Sequence, residues 1–264
     1  MAELYLRECV LTIDAPNAPV KRISGLRITF DIEKTNESSP NLATIGVYNL
    51  AESTRSILEQ GRAIITLECG YQGTTERVFV GNLDKVVHVK DGPEIISTME
   101  LADGGNRYRN ARTDRAFPPN VTNRQVYNAL ATDMGLNQAV ILGVPQKIYA
   151  HGLSLSGHSR HHLDELTRRD KMEWSIQDNS LQIIPSTLPT SDASIFLNSD
   201  TGLIGSPNKT KEGVEFESLL QPRIRPGRQV ELDSKFIKGK YKVRKVNHRG
   251  DSQGGDFVTS CEAT

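Results

Sequence analysis

Apolar and polar residues alternate with a period of two through much of the first hundred residues. Leu26, Ile28, Phe30 and Ile32 share one parity, and Arg27, Thr29, Asp31 and Glu33 the other. Successive strand side chains point to opposite faces, so this run predicts a strand with one buried and one wet face. Glu37 to Asn41 breaks it as a loop, and Ile45, Val47 and Tyr48 form the next strand. A short helix follows over Ala51–Gln60, with Asn49 near its start and Gly61 placed to end it. Ala63–Glu68, Arg77–Val89 and Glu94–Leu101 read as three more strands, the last two joined through an Asp91-Gly92 turn.

After Asp103-Gly104-Gly105 the period changes to that of a helix. Thr122-Asn123-Arg124-Gln125 fits a capping box, in which the Thr hydroxyl accepts from the Gln amide and the Gln side chain reaches back. Val126, Leu130 and Met134 then recur at helical spacing up to Gly135. A second helix fits Ser159–Asp170, with Leu163 and Leu166 inward, and a hairpin follows around Asp178-Asn179-Ser180. Pro185 to Asp192 has linker composition, and strands return at Val214–Leu220, Gln229–Leu232, Lys240–Val246 and Phe257–Cys261.

The two β regions repeat one order of features. Gly61-Arg62-Ala63-Ile64 matches Gly227-Arg228-Gln229-Val230. Lys85-Val86-Val87-His88 matches Lys245-Val246-Asn247-His248. Thr98-Met99-Glu100 matches Ser260-Cys261-Glu262, and upstream Ile45–Leu50 is set against Val214–Leu219. The expected fold is mainly β with an α+β middle: two similar small antiparallel barrels (1–104 and 191–264) joined by an α+β domain (105–190). Closed barrels leave few exposed edges. Two barrels per chain would let a homotrimer present six in a ring, closed by heterologous contacts.

Composition narrows the function classes. Lys plus Arg and Asp plus Glu are 32 each, so the formal net charge is zero, which argues against a generic nucleic-acid binder. Cys9, Cys69 and Cys261 are odd in number and widely spaced. No disulfide framework or thiolate zinc site is expected, and Cys69 and Cys261 read as buried small hydrophobes. No signal peptide or membrane-spanning run is visible, so synthesis in the cytoplasm is expected. Asn36, Asn120 and Asn208 head glycosylation patterns that mean nothing without secretion.

Candidate chemistry is sparse. His158 and His162, four apart, could share a helix face and a metal. The neighbouring Asp164, Glu165, Arg160, Arg168 and Arg169 instead suggest a solvated, ion-paired helix start. Leu155-Ser156-Gly157 lacks the turn that exposes a serine nucleophile. Glu100 lies near Asp103, and Glu231 near Asp233; paired carboxylates about 5–9 Å apart can do glycosidic acid/base work, but acidic residues on strand faces are usually just exposed. Gly104-Gly105 and Gly250–Gly255 lack the Lys-Ser/Thr of a phosphate cradle and read as turns. Arg107, Arg109, Arg112 and Arg115, interleaved with Tyr108, could stack on nucleic acid but better fit a subunit interface. Arg223, Arg225 and Arg228 invite the same reading. No catalytic, metal or cofactor-binding residue is assigned.

Thr201-Gly202-Leu203-Ile204-Gly205-Ser206-Pro207, Leu220-Gln221-Pro222-Arg223-Ile224-Arg225-Pro226-Gly227 and Tyr241–His248 resemble the C-terminal half of baseplate central hub proteins of contractile-tailed phages. Ile28–Lys34 and Asn41–Leu50 resemble that family too. The resemblance implies two tudor-like barrels per chain and a non-catalytic homotrimer in the virion tail baseplate. It further implies a pseudo-six-fold ring linking the tail tube, or a tube-initiator protein, to the central spike, beside other baseplate proteins. DNA would pass through the channel without sequence-specific binding, and there would be no membrane insertion. The rival reading is a peptidoglycan- or carbohydrate-binding or hydrolysing tail protein that uses the middle unit. A tudor-like adaptor for methylated peptides would need an aromatic cage, and aromatics are only 6% and scattered.

Overall fold

A computed structural model describes residues 6–190 and 193–264; Met1–Tyr5 and the end of the expected linker, Ser191-Asp192, lie outside the described residues. The chain divides into two compact units. One holds residues 1–35, 41–102 and 192–264, and the other 36–40 and 103–191.

The first β region comprises β1 (Arg7–Asp14), β2 (Lys21–Ile23), β3 (Ile28–Thr35), β4 (Leu42–Tyr48), α1 (Glu52–Glu59), β5 (Ile64–Tyr71), β6 (Glu76–Asp91) and β7 (Glu94–Ala102). All its ladders are antiparallel, in the order β3-β4-β7-β6-β5-β1-β2. In β3, Ile28, Phe30 and Ile32 are buried while Asp31 and Glu33 are exposed, as the alternation predicts. β6 is long because it serves two ladders, pairing with β5 up to Asn82 and with β7 from Asn82 onward. Leu11, Ile13, Ile45, Ile65, Leu67 and Met99 lie at the centre of this region's core. Asn49 does not cap α1, whose N-cap is Ala51 without a side-chain bond. Asn49 adopts φ 58°, and its Oδ1 accepts from the Ile95 amide at 3.0 Å.

The second unit contains α2 (Gly105–Asn110), β8 (Arg112–Phe117), β9 (Val121–Thr122), α3 (Asn123–Asp133), β10 (Asn137–Ile141), β11 (Ile148–Tyr149), β12 (Leu153–His158), α4 (Ser159–Asp170), β13 (Met172–Gln177) and β14 (Ser180–Pro185). The expected capping box opens α3, with both reciprocal bonds made by Thr122 and Gln125. α3 and α4 pack Tyr127, Leu130, Leu163 and Leu166 on Trp174 and Ile183 of the β13–β14 hairpin. Asp103 is fully buried and accepts the Asp178 and Asn179 amides at 2.6 and 2.8 Å. Both turn residues have positive φ, so the carboxylate holds the hairpin turn that Asp-Asn favours.

The last region holds β15 (Ile195–Leu197), β16 (Leu203–Lys209), β17 (Val214–Leu219), β18 (Gln229–Asp233), β19 (Lys238–Asp251) and β20 (Phe257–Ala263). Its order, β16-β17-β20-β19-β18, matches β3-β4-β7-β6-β5 strand for strand. The registers match as well. Lys85, Val86, Val87 and His88 face Glu100, Met99, Thr98 and Ser97. Lys245, Val246, Asn247 and His248 face Glu262, Cys261, Ser260 and Thr259. Each long strand breaks register at the same place, Leu83/Lys85 and Val243/Lys245. Each histidine Nδ1 meets a hydroxyl across the ladder, His88 with Ser97 at 2.9 Å and His248 with Thr259 at 3.0 Å. Upstream, the ladders set Ile45 opposite Met99 and Phe216 opposite Cys261. Ile45 therefore corresponds to Phe216 rather than to Val214, a two-residue slip that keeps every side chain on the same face. The halves differ at β1 and β15: β1 is antiparallel to β5, and β15 is parallel to β18.

The two halves share one 13-stranded sheet. Seven residue pairs, from Lys245↔Thr35 to Asp251↔Thr29, join β19 to β3 antiparallel. The second half keeps a core of its own, around Val230, Val243 and Val246. Phe257 and Leu220, however, are buried in the core of the first half. Phe257 meets Phe30 and Tyr71 edge-on, with ring centroids 5.8 and 5.6 Å apart.

Candidate interaction surface

The histidine cluster does not assemble as helical spacing suggested. His158 is the N-cap of α4, with extended backbone (φ −71°, ψ 128°), so it lies outside the helix on which His162 sits. Its ring meets His161 edge-on at 5.6 Å. Among the described residues, no group of three or more His, Cys, Asp or Glu is placed to hold a metal. Glu165 pairs with Arg169 one turn on, as expected of a solvated helix. Asp164 does not join it, and instead accepts the Trp174 indole N–H at 2.8 Å.

Ser156 lies mid-strand on β12, opposite Asp114 of β8. Its hydroxyl donates to the Asp114 carboxylate at 2.6 Å, and that bond holds the carboxyl below its ordinary range. Ser156 thus sits within a strand and not on the sharp strand-to-helix turn of a nucleophile elbow. The acidic pairs are taken up singly. Glu100 faces Lys85 at 3.4 Å, and both oxygens of Asp103 bind turn amides. Glu231 and Asp233 face Lys240 and Lys238 across β18–β19, at 3.9 and 2.6 Å. The three cysteines are free and buried. Burial pushes the Cys69 and Cys261 thiols up, away from the reactive thiolate.

The first basic run divides between two elements. Tyr108 on α2 stacks on Trp174 at 6.2 Å and lies under the Arg160 guanidinium at 5.2 Å. Arg112 and Arg115 belong to β8, a strand the sequence did not suggest. Arg115 is held by Asp133, its Nε donating to the two carboxylate oxygens at 3.0 and 2.9 Å. The side chain of Arg107 lies outside the described ones.

The second basic stretch clasps the two β regions together. Arg223 Nε donates to Glu76 at 2.6 Å, and Arg225 to the Arg77 carbonyl at 3.0 Å, both partners on β6. Arg228 donates back to the Arg223 carbonyl at 3.0 Å. From the other side, Arg27 Nε and Nη2 both donate to one Asp251 oxygen, at 3.0 and 2.7 Å. Arg7 donates to the Gly255 carbonyl at 2.9 Å and lies over the Phe257 ring. The Gly250–Gly255 loop is thus a turn gripped by two arginines. At Gly250 a Cβ would sit 2.5 Å from the Phe30 ring and 2.7 Å from Phe257. Only glycine permits that approach.

The joint of β19 with β3 presents a polar ladder face. The wet faces of β19 and β3 carry Lys245, Asn247, Glu33 and Asp31, cross-linked by Lys245–Glu33 at 2.8 Å and Asn247–Asp31 at 2.7 Å. Exposed apolar residues are scattered over the chain, among them Leu42 on β4, Val87 and Val89 on β6, Ile204 on β16 and Phe236. Sequence reasoning missed these, because a single apolar residue gives no sign of whether anything covers it.

Solved structures resemble this architecture over nearly its full length. The 43 kDa tail protein of prophage MuSo2 from Shewanella oneidensis aligns with TM-score 0.66 and 11% identity, covering 97% of each chain. A tail protein from Neisseria meningitidis MC58 aligns with TM-score 0.65 and 10% identity, over 97% of this chain and 96% of that one. An Escherichia coli type VI secretion component, described as similar to the T4 phage tail proteins gp27 and gp5, aligns with TM-score 0.64 and 12% identity, over 96% and 76%. At these identities the likeness establishes the fold. No curated protein matches the sequence. A family model described as baseplate hub gp41 matches residues 8–263, and the chain belongs to that family of phage tail baseplate proteins.

Proposed function

We propose that the chain is a structural, non-catalytic hub that assembles as a homotrimer. Its three pairs of similar β modules would form a pseudo-six-fold ring between the tail tube, or a tube initiator, and the central spike. The modules correspond to 1–104 and 191–264, joined by the α+β unit 105–190, and other baseplate proteins would be further partners. The observation that carries this reading is the internal repeat: two halves with one strand order, one register and one break point per long strand. Two like modules in each of three copies let a three-fold object meet six-fold symmetry with nearly equivalent contacts. The zero net charge suits close self-association, and DNA would pass without base-specific contacts. Membership of a family of phage tail baseplate proteins supports a role without catalysis.

Light scattering on the purified protein at several concentrations tests the reading. A mass of three times 29.2 kDa, with co-purification of tube and spike proteins, is the expected result. A monomer at every concentration that sediments with cell wall would overturn it in favour of a wall-binding protein.

A further inference from the structure

Two of the three free cysteines stand opposite each other. On the β1–β5 ladder Cys9 is the direct partner of Cys69, and the two Sγ atoms lie 2.9 Å apart. Both thiols point into the core of the first β region, beside the Leu11–Leu67 pair. Opposed residues of an antiparallel ladder have Cα atoms about 4.5–5.5 Å apart. That falls inside the span a disulfide bridges, about 4.4–6.8 Å, so the two can be joined with the backbone where it is. Cys261 differs. Its ladder partners are Phe216 and Val246, and no thiol faces it.

We infer that Cys9 and Cys69 form an oxidation site, which closes into an intramolecular disulfide when the folded protein meets a small-molecule disulfide such as oxidised glutathione. Cys9 reacts first. It is 6% exposed against 0% for Cys69, and the strand is open beside it. β2 covers only Leu11–Ile13 of β1, and among the described residues Arg7–Val10 pair with β5 alone. The Cys9 thiol gives up its proton and attacks one sulfur of the small disulfide; that S–S bond breaks, and one thiol leaves with the proton. Cys69 then attacks the Cys9 sulfur of the mixed disulfide, and its proton goes to the second departing thiol. The two cysteines lose two electrons between them, and one small disulfide becomes two thiols. Burial holds the Cys69 thiol up, but its sulfur already touches its target, and proximity drives the second step.

A phage particle is built inside a cell, where thiols stay reduced, and released where disulfides persist. A chain of a tail baseplate family makes that passage. The bond ties β1 to β5 covalently. Arg7, two residues before Cys9, donates to the Asp251 and Gly255 carbonyls, so the bond also fastens that grip of the first β region on the last. The pair lies within one chain, and it closes whether or not the ring proposed above forms.

Thiol counting on the purified full chain tests the site. The reduced protein, unfolded in denaturant, should titrate three thiols. After the folded protein is held in excess oxidised glutathione and freed of it, one thiol should remain. Its mass should be lower by two hydrogens, and a protease digest should yield one linked pair of peptides carrying Cys9 and Cys69. The melting temperature should rise by about 5–10 °C, since the bond joins residues 60 apart in sequence, and a reductant should reverse the rise. Cys69→Ala should show no such rise, and Cys261→Ala should keep it. If Cys69→Ala does not fold, the thiol count, mass and linked peptides of the native chain decide alone. A folded chain that keeps three thiols, or that stops at a glutathione adduct on Cys9, overturns the site. So does a link that forms only in denaturant.

Discussion

Phe257→Ala should cost as much as a full core truncation, because the ring belongs to one half of the sheet and is buried in the core of the other. The side chain is 2% exposed and meets Phe30 and Tyr71 edge-on. Returning a buried ring to water costs about 2–3 kcal/mol, and each edge-to-face pair adds about 0.5–1.5 kcal/mol. The sum, roughly 3–6 kcal/mol, overlaps the range of Phe-to-Ala truncations in other cores. For a unit of this size it lowers the melting temperature by about 10 °C. Phe257→Leu keeps most of the volume and should cost only about 1–2 kcal/mol. Chemical denaturation followed by circular dichroism measures both, and hydrogen exchange at β3 and β19 shows whether their ladder loosens first. A loss below about 1 kcal/mol for Phe257→Ala, with β3 amides still protected, would refute the view that this ring locks the halves together.

Gly250→Ala, which forces a methyl group against the Phe30 and Phe257 rings, should destabilise by about 1–3 kcal/mol, read from the same denaturation curves. Asp103→Ala leaves the Asp178 and Asn179 amides without their carboxylate. It should cost about 2 kcal/mol and accelerate exchange of those two amides, which nitrogen-resolved NMR can follow. Thr122→Ala removes the α3 cap and should cost about 1 kcal/mol in a thermal melt. For Asp251, burial pushes the carboxyl up, but the bonds from Arg27 and from its own loop outweigh this and hold it below the ordinary carboxylate range. A depressed carboxyl contributes stability that is present above the unfolded-state value of about 4 and lost as pH falls through the folded value. The melting temperatures of the native protein and Arg27→Met should therefore differ at neutral pH and converge in acid.

Much of the architecture was legible wherever the signal is local. The alternation in Ile28–Glu33 announced its strand, and the Thr122/Gln125 spacing announced a cap. The repeat was legible because Lys-Val-x-His and x-x-Glu sit at fixed positions on two neighbouring strands, where register preserves spacing. Its upstream part slipped by two residues, because a pleat looks the same two residues on. The β3–β19 joint was not legible: the pairing of Asp31 with Arg249 leaves no trace in the text around either residue. β8 was missed because Arg112, Asp114 and Arg115 are polar on a strand with one neighbour, and a polar strand carries no hydrophobic period. The basic residues Arg223 and Arg225 read as a surface for a partner, and the partner proved to be the chain's own β6.

The ladder between β3 and β19 also sets a clock on synthesis. β3 is made early, and the strand that covers its edge emerges more than two hundred residues later. At roughly 5–20 residues per second, the first half waits some tens of seconds with a sheet edge unpaired and a core lacking Phe257. An uncovered edge is a template for any passing strand, so the growing chain is most exposed to misassociation with other nascent copies on the same message. Coexpression at high density should therefore yield more insoluble protein than slow synthesis of the same total amount.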